Sequence, residues 1–310
     1  MHEEVTIPEL TEVVARLAAL LGPRVGGVAP LDGGITNRNY RVHFGGDDYV
    51  VRLPGKDTNL LGIDREAERL ATKRAAEVGI GPKVAAMLPD PACLVTCVVE
   101  GRELTSEELR GPDALAEVAR GLRSYHDSGL ELPTRFHVQE VVREYAEVAR
   151  SRGGAVPDEF EESLGRADEI VAAVADDPEH ASRPNHNALL AANFLQSAKG
   201  IVIVDWEYAG MGDPFFDLGN FSVNNELSDE DEESLLGAYF GEPATPRRTA
   251  GLKLFRFMSD LREAMWGVVQ NTVSELDFDF TGYADKHFQR LAETGADPRF
   301  RTWLEEARGG

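Results

Sequence analysis

Cysteine is almost missing from this chain. Cys93 and Cys97 are the only two, and four residues apart on what reads as one strand they face the same side, suggesting neither a disulfide framework nor a zinc quartet. Both read as small buried apolar residues. Long hydrophobic runs are missing too. No stretch approaches the roughly 18 apolar residues of a membrane span, and the opening Met1-His-Glu-Glu has neither the basic flank nor the apolar stretch of a signal peptide. A cytoplasmic address without membrane insertion is therefore expected. Basic charge is scarce: 32 Lys and Arg stand against 54 Asp and Glu, a net charge of −22. That excludes the basic footprint of a nucleic-acid binder. It is compatible with a cationic small substrate, and equally with acidity that serves only solubility.

What remains is an ordinary globular composition, 42% apolar and 28% charged over 310 residues, long enough for two lobes with separate cores. Residues 8–21 carry apolar side chains at helical spacing and predict a leading amphipathic helix. Short β-rich runs follow at 25–30, 39–44, 49–53, 84–88 and 93–99, with Gly45-Gly-Asp-Asp48 as a hairpin signal between the second and third. One helix, 64–78, interrupts them. Beyond Glu100-Gly101 the pattern turns helical: 113–126, 138–152, 158–175, then short strands, then 229–240, 245–271 and 283–291, punctuated by loops at Ala155-Val-Pro157 and Asp177-Pro178. The fold class expected is α+β, with a lobe boundary inside 96–102 that divides the chain into 1–98 and 99–310. Nothing in the sequence bears on oligomeric state.

The segment from Arg183 to Gly210 holds the densest chemistry. It reads Arg183-Pro-Asn-His-Asn-Ala-Leu-Leu-Ala-Ala-Asn193-Phe-Leu, then a turn, then Ile201-Val-Ile-Val-Asp205-Trp-Glu-Tyr-Ala-Gly210, with Gly212-Asp-Pro-Phe-Phe-Asp-Leu-Gly-Asn220 after it. Asp32-Gly-Gly-Ile-Thr-Asn37 lies between the first two strands, where backbone free of Cβ could approach phosphates. Alone, a Gly-Gly pair there is more often just a turn. Arg52 follows on a strand and Glu68 on the helix after it.

These segments together resemble the choline/ethanolamine kinase branch of the aminoglycoside phosphotransferase-like kinases, over nearly the whole chain. The family loop runs His-Asn-Asp with an Asn five residues after the Asp. His186, Asn187 and Asn193 match, and Ala188 stands at the position of the Asp. The resemblance implies a two-lobed protein-kinase-like fold: a small five-stranded antiparallel N-lobe with one main helix, and a larger, mostly helical C-lobe. It further implies ATP and Mg²⁺ as cofactors. Asn193 and Asp205 would be the metal ligands, and Gly33, Gly34, Thr36, Asn37, Arg52, Glu68, Thr96 and Val98 would serve the nucleotide, with Glu68 orienting Arg52 against the phosphates. Asp217, Asn220 and His186 would brace the loop.

For the acceptor, the resemblance points to a small cationic amino alcohol such as choline or ethanolamine, held by Tyr208, Trp266 and Tyr283 with Glu226 and Glu263 nearby. Trp266 could instead only widen the apolar stripe of Leu254, Met258, Leu261, Met265 and Val268, but Asp260, Glu263 and Gln270 make its flank polar, as a pocket wall would be. Many family members have a second Trp where this chain has Glu263, which tilts the expectation toward an ammonium with N–H donors. Trp303 and Phe288 read as packing residues. Ala188 cannot accept a proton, so impaired turnover is expected. The alternatives are a non-catalytic nucleotide-binding pseudokinase, or a kinase acting on an aminoglycoside or sugar. Loss at 188 alone, with 193 and 205 kept, points to an isolated change.

Overall fold

The computed structural model describes residues 8–31, 37–90 and 92–309. Asp32, Gly33, Gly34, Ile35 and Thr36 lie outside them, so the expected phosphate loop is represented only by Asn37.

The N-terminal part is a five-stranded antiparallel sheet in the order β1-β2-β3-β5-β4. Helix α1 (Pro8–Leu21) precedes β1 (Arg24–Leu31), β2 (Asn37–Phe44) and β3 (Asp47–Pro54), and α2 (Arg65–Glu77) separates these from β4 (Val84–Pro89) and β5 (Ala92–Cys97). Strand alternation divides the faces. Tyr40, Val42 and Phe44 of β2, Tyr49, Val51 and Leu53 of β3, and Val95 of β5 form one core with Leu10, Val13 and Leu17 of α1. The opposite face carries Arg41, Val50, Arg52 and Thr96 toward the second lobe. Register across β2 and β3 closes Phe44 on Asp47, leaving a two-residue turn. Gly45 takes φ 62° there, and a Cβ would lie 2.9 Å from the Leu21 carbonyl, so only glycine fits. Asp64 caps α2, its Oδ1 accepting from the Ala67 N–H at 2.7 Å, worth about 1 kcal/mol.

The C-terminal part begins with the short β6 (Gly101–Glu103) and α3 (Ser106–Leu109), then α4 (Pro112–His126), α5 (Val138–Ser151) and α6 (Glu159–Val174). Four short strands, β7 (Arg183–Asn185), β8 (Phe194–Ser197), β9 (Gly200–Ile203) and β10 (Gly210–Gly212), precede α7 (Pro214–Asn224), α8 (Asp229–Phe240), α9 (Pro246–Val273), α10 (Phe280–Ala296) and α11 (Phe300–Ala307). Strand β10 pairs with β7, and β8 pairs with β6 on one side and β9 on the other, so the candidate loop is held between two small sheets. The 28-residue α9 is the axis, buried from Ala250 to Gln270 apart from Arg256. Helix α7 crosses it so closely that a Cβ on Gly219 would lie 2.5 Å from the Phe255 carbonyl carbon.

The expected architecture stands: an antiparallel five-stranded lobe and a mostly helical one. Three differences stand out. Helix α7 was not expected, because its residues Pro214 to Val223 are buried on all sides and show no amphipathic stripe. The strand expected over 93–99 ends at Cys97, where Val98 turns to donate its N–H to Asp48 instead. The helix expected over 283–291 runs from Phe280 to Ala296. Trp303 and Phe288 pack in or against the main core, Cys93 is buried, and both cysteines are free. Among the described residues no helix is long and apolar enough to cross a membrane.

Candidate active site

The loop after β7 is held almost entirely from below. Buried Asp217 of α7 accepts the His186 N–H on Oδ2 and the Asn187 N–H on Oδ1, both at 2.8 Å, while His126 of α4 meets Oδ2 at 2.9 Å. Burial opposes this carboxylate's charge, but His126 and the backbone donors more than offset it and hold Asp217 below the usual range. Asn220, one turn on, accepts the Leu189 N–H at 2.6 Å. Asn187 takes φ 68°, a left-handed conformation that Asn tolerates, and its amide donates to the Tyr208 carbonyl at 2.9 Å.

His186 is enclosed by protein, and burial lowers its pKa. Its Nε2 faces the Val204 carbonyl at 3.0 Å and its Nδ1 faces the Ala188 N–H at 3.2 Å. One partner needs a donor and the other an acceptor, so the ring is a neutral imidazole protonated on Nε2. Both nitrogens are spent on backbone, and the residue shapes the loop rather than moving protons. Ala188 keeps the loop's hydrogen bonds, its carbonyl accepting from Asn193 Nδ2 at 2.8 Å. What it lacks is any polar side-chain atom.

Above the loop lies a cleft of about 470 Å³ between the lobes, lined by Arg52, Leu94, Thr96, Val98, Asn193 and Asp205 among others. Its floor is charged. Arg52 Nη1 donates to Glu68 Oε1 at 3.0 Å and to Asp205 Oδ1 at 2.5 Å. Arg65 holds the other Glu68 oxygen at 2.8 Å and accepts a second carboxylate, Glu207, at 3.5 Å. Asn37 sits between them, taking Arg65 on Oδ1 and donating to Glu207 Oε2 at 2.7 Å. Burial, with the charge of Asp205, pushes the Glu207 carboxyl up to about 8. Asn193 spends its Nδ2 on Ala188, which leaves its amide oxygen, with the Asp205 carboxylate, as a pair of hard oxygen donors at the cleft. Such a pair suits Mg²⁺, which takes one or two protein oxygens and completes its shell with phosphate and water. Among the described residues no group of three or more His, Cys, Asp or Glu side chains could hold a metal.

The aromatic residues expected at the acceptor end do meet. Trp266 Nε1 donates to the Tyr208 hydroxyl at 2.8 Å, and the Trp266 and Tyr283 rings stand edge to face, 5.4 Å apart at 66°. The Tyr283 hydroxyl donates to Glu263 Oε2 at 2.7 Å. The polar flank of Trp266 is not an open wall, however. Glu263 is enclosed, its Oε1 taken by Arg262 at 2.8 Å and Asn220 at 3.2 Å, and Asp260 is taken by His287 and Arg290. Glu226 does not join the cluster: its exposed side chain faces Arg110 at 3.9 Å.

Sequence reasoning passed over Glu207, Arg65, His126 and Arg262. Glu207 stands two residues after Asp205 in a strand-end motif, which could have marked it. His126 and Arg262 lie in helices where nothing local sets them apart.

Fold and site define a class, the small-molecule kinases built on a protein-kinase-like scaffold. The phosphotransferase enzyme family model matches residues 27–252. The choline/ethanolamine kinase family protein of Mesorhizobium loti is 31% identical and superposes with a TM-score of 0.82, covering 97% of this chain and 100% of that one. LicA of Haemophilus influenzae is 26% identical, covering 84% of this chain and 79% of that protein. Ethanolamine kinase 2 of Mus musculus is 29% identical, at 79% and 69%. The chain belongs to the choline/ethanolamine kinase family of phosphotransferases.

Proposed function

We propose that this scaffold transfers a phosphoryl group from ATP, with Mg²⁺, to the hydroxyl of a small amino alcohol such as ethanolamine or choline, and that Ala188 leaves the present chain strongly impaired in that step while still able to bind nucleotide. The observation that carries the reading is the charged floor of the cleft, where Arg52, oriented by Glu68, stands with Asp205 and Asn193 below the strand end at Thr96 and Val98. The adenine edge would lie along 96–99, and Arg52 would turn to the phosphates. Asn193 and Asp205 would hold the metal, whose contribution is neutralising the charge on the transferred phosphoryl group. The names of the ethanolamine kinase relatives support an amino-alcohol acceptor.

In an intact family loop the acid at 188 would orient the acceptor hydroxyl and take its proton, a contribution of about 10²–10⁴-fold. A methyl group does neither. The methyl group at 188 also favours a second reading, a nucleotide-binding pseudokinase, against which the bracing of the loop by Asp217 and Asn220 supports the kinase reading. Calorimetry with ATP or ADP and Mg²⁺ tests the binding half. No binding at millimolar nucleotide removes the kinase reading of this chain. The chemical half is tested by restoring the acid.

A further inference from the structure

Arg262 precedes Glu263 on α9, and each keeps only 2% of its surface. The Arg262 guanidinium lies over the Tyr208 ring, 4.4 Å from its centroid, and 5.8 Å from that of Phe136. Nη1 donates to Glu263, while Nε and Nη2 find no hydrogen-bond partner among the described residues. The rest of this cation meets the Tyr208 and Phe136 rings and lies near the Tyr145 side chain. A guanidinium does not give up its proton, so a fixed positive charge sits against the ring.

Tyr208 itself is nearly enclosed, with 9% of its surface left. Its hydroxyl is tied to Trp266, Trp266 abuts Tyr283, and Tyr283 is tied to Glu263. Within the cluster the Arg262 charge is paired with Glu263, whose oxygens are all taken. A trimethylammonium head has no N–H to donate, so it depends on a free aromatic face and on uncancelled negative charge. Arg262 occupies a face of Tyr208 and cancels the Glu263 charge. A primary ammonium loses less, because it can donate hydrogen bonds to hydroxyl and carbonyl oxygens.

We infer that Arg262 determines acceptor specificity, acting as a resident cation on the Tyr208 face that turns the cluster away from quaternary ammonium heads and toward acceptors with N–H donors. This rests on the amino-alcohol reading of the site. The test is calorimetry on the full chain with choline, ethanolamine and 3,3-dimethyl-1-butanol, the uncharged isostere of choline. The double variant R262M/E263Q removes the cation without leaving a bare buried carboxylate. It should bind choline about 3–30-fold more tightly than the wild type, the range of one cation–π contact, with ethanolamine gaining less and the uncharged isostere and nucleotide little changed. The single variant Glu263→Gln leaves Arg262 uncompensated and should weaken choline by a similar factor, again sparing the isostere. If the wild type binds an amino alcohol and neither variant shifts the choline-to-ethanolamine ratio, the role of Arg262 is overturned alone. Equal shifts for choline and its isostere overturn it as well, since they would report shape and not charge. Should no amino alcohol bind wild type or variants, the acceptor reading and this inference fail together.

Discussion

Arg52, half-buried, and Arg262, buried, are both cations beside carboxylates, yet they sit in opposite electrostatic settings. Arg52 faces Glu68, Asp205 and Glu207 at the edge of an open cleft that Arg41 also lines, with Arg65 beside it, and Glu207, its carboxyl pushed up to about 8, is mostly protonated at neutral pH. Arg262 faces one carboxylate and two rings, and the pair is closed off. The first arrangement leaves arginine side chains that can turn to phosphate. The second cancels itself and leaves nothing for an ionic partner. Burying a charge is costly unless it is paired, and the proposed nucleotide and acceptor ends differ in that one pairing opens onto the cleft while the other is closed off.

The most damaging break is Arg52→Met. Removing one partner of a buried pair costs about 3–5 kcal/mol, and here several carboxylates lose their cation at once. Denaturant melts should show a loss toward the lower end of that range, because Asp205 is partly exposed, and nucleotide affinity should fall with it. Unchanged stability would mean that the cleft floor is not held by this charge. Next in size is Ala188→Asp. The loop is already braced, so a restored carboxylate should raise phosphoryl transfer to ethanolamine or choline by at least about 10²-fold, read by coupled ADP release across a panel of amino alcohols. A variant that binds nucleotide and acceptor but remains as slow as the parent rules out the catalytic reading of the loop.

At the closed end, Trp266→Ala should weaken amino-alcohol binding by about 0.5–2 kcal/mol and leave nucleotide affinity nearly unchanged. Equal loss of both would make Trp266 a core residue and dissolve the division between the two ends. A separate, pH-dependent effect concerns Glu207, pushed from an ordinary 4.5 up to about 8 by burial and by Asp205. Between those values the folded protein holds a proton that the unfolded chain releases, so stability falls as pH rises from about 4.5 to about 8 and levels off above. Glu207→Gln should flatten the melting temperature across that window. An unaltered slope would show that Arg52 and Arg65 keep the carboxylate ionised.

Much of the scaffold was legible in the order of residues. Alternating apolar positions in β2 and β3, the Gly45-Gly46 turn and the stripe of α1 are local signals, each set by neighbours within a few residues. Helix α7 left no such signal, being buried on every side. The site divides in the same way. His186, Asn187, Asn193 and Asp205 stand close together in sequence and could be picked out as a pattern, as could the missing acid at Ala188. Glu226 was named at the acceptor end because of its sequence position, and lies elsewhere because the turn after α7 points it toward Arg110.

What the sequence determined by itself is the identity of the chemical groups: which carboxylates, amides and rings are available, and that position 188 carries none. Local pattern was enough for that, because strand alternation, helical stripes and loop motifs are read over short spans. Tertiary structure alone decided how those groups are charged and spent. His126 reaches Asp217 across 91 residues and Arg52 reaches Asp205 across 153. Glu263, open on paper to a ligand, is consumed by Arg262, Asn220 and Tyr283. The strength of an ionic contact depends on distance and burial, and both are set by packing between segments that the order of residues does not bring together.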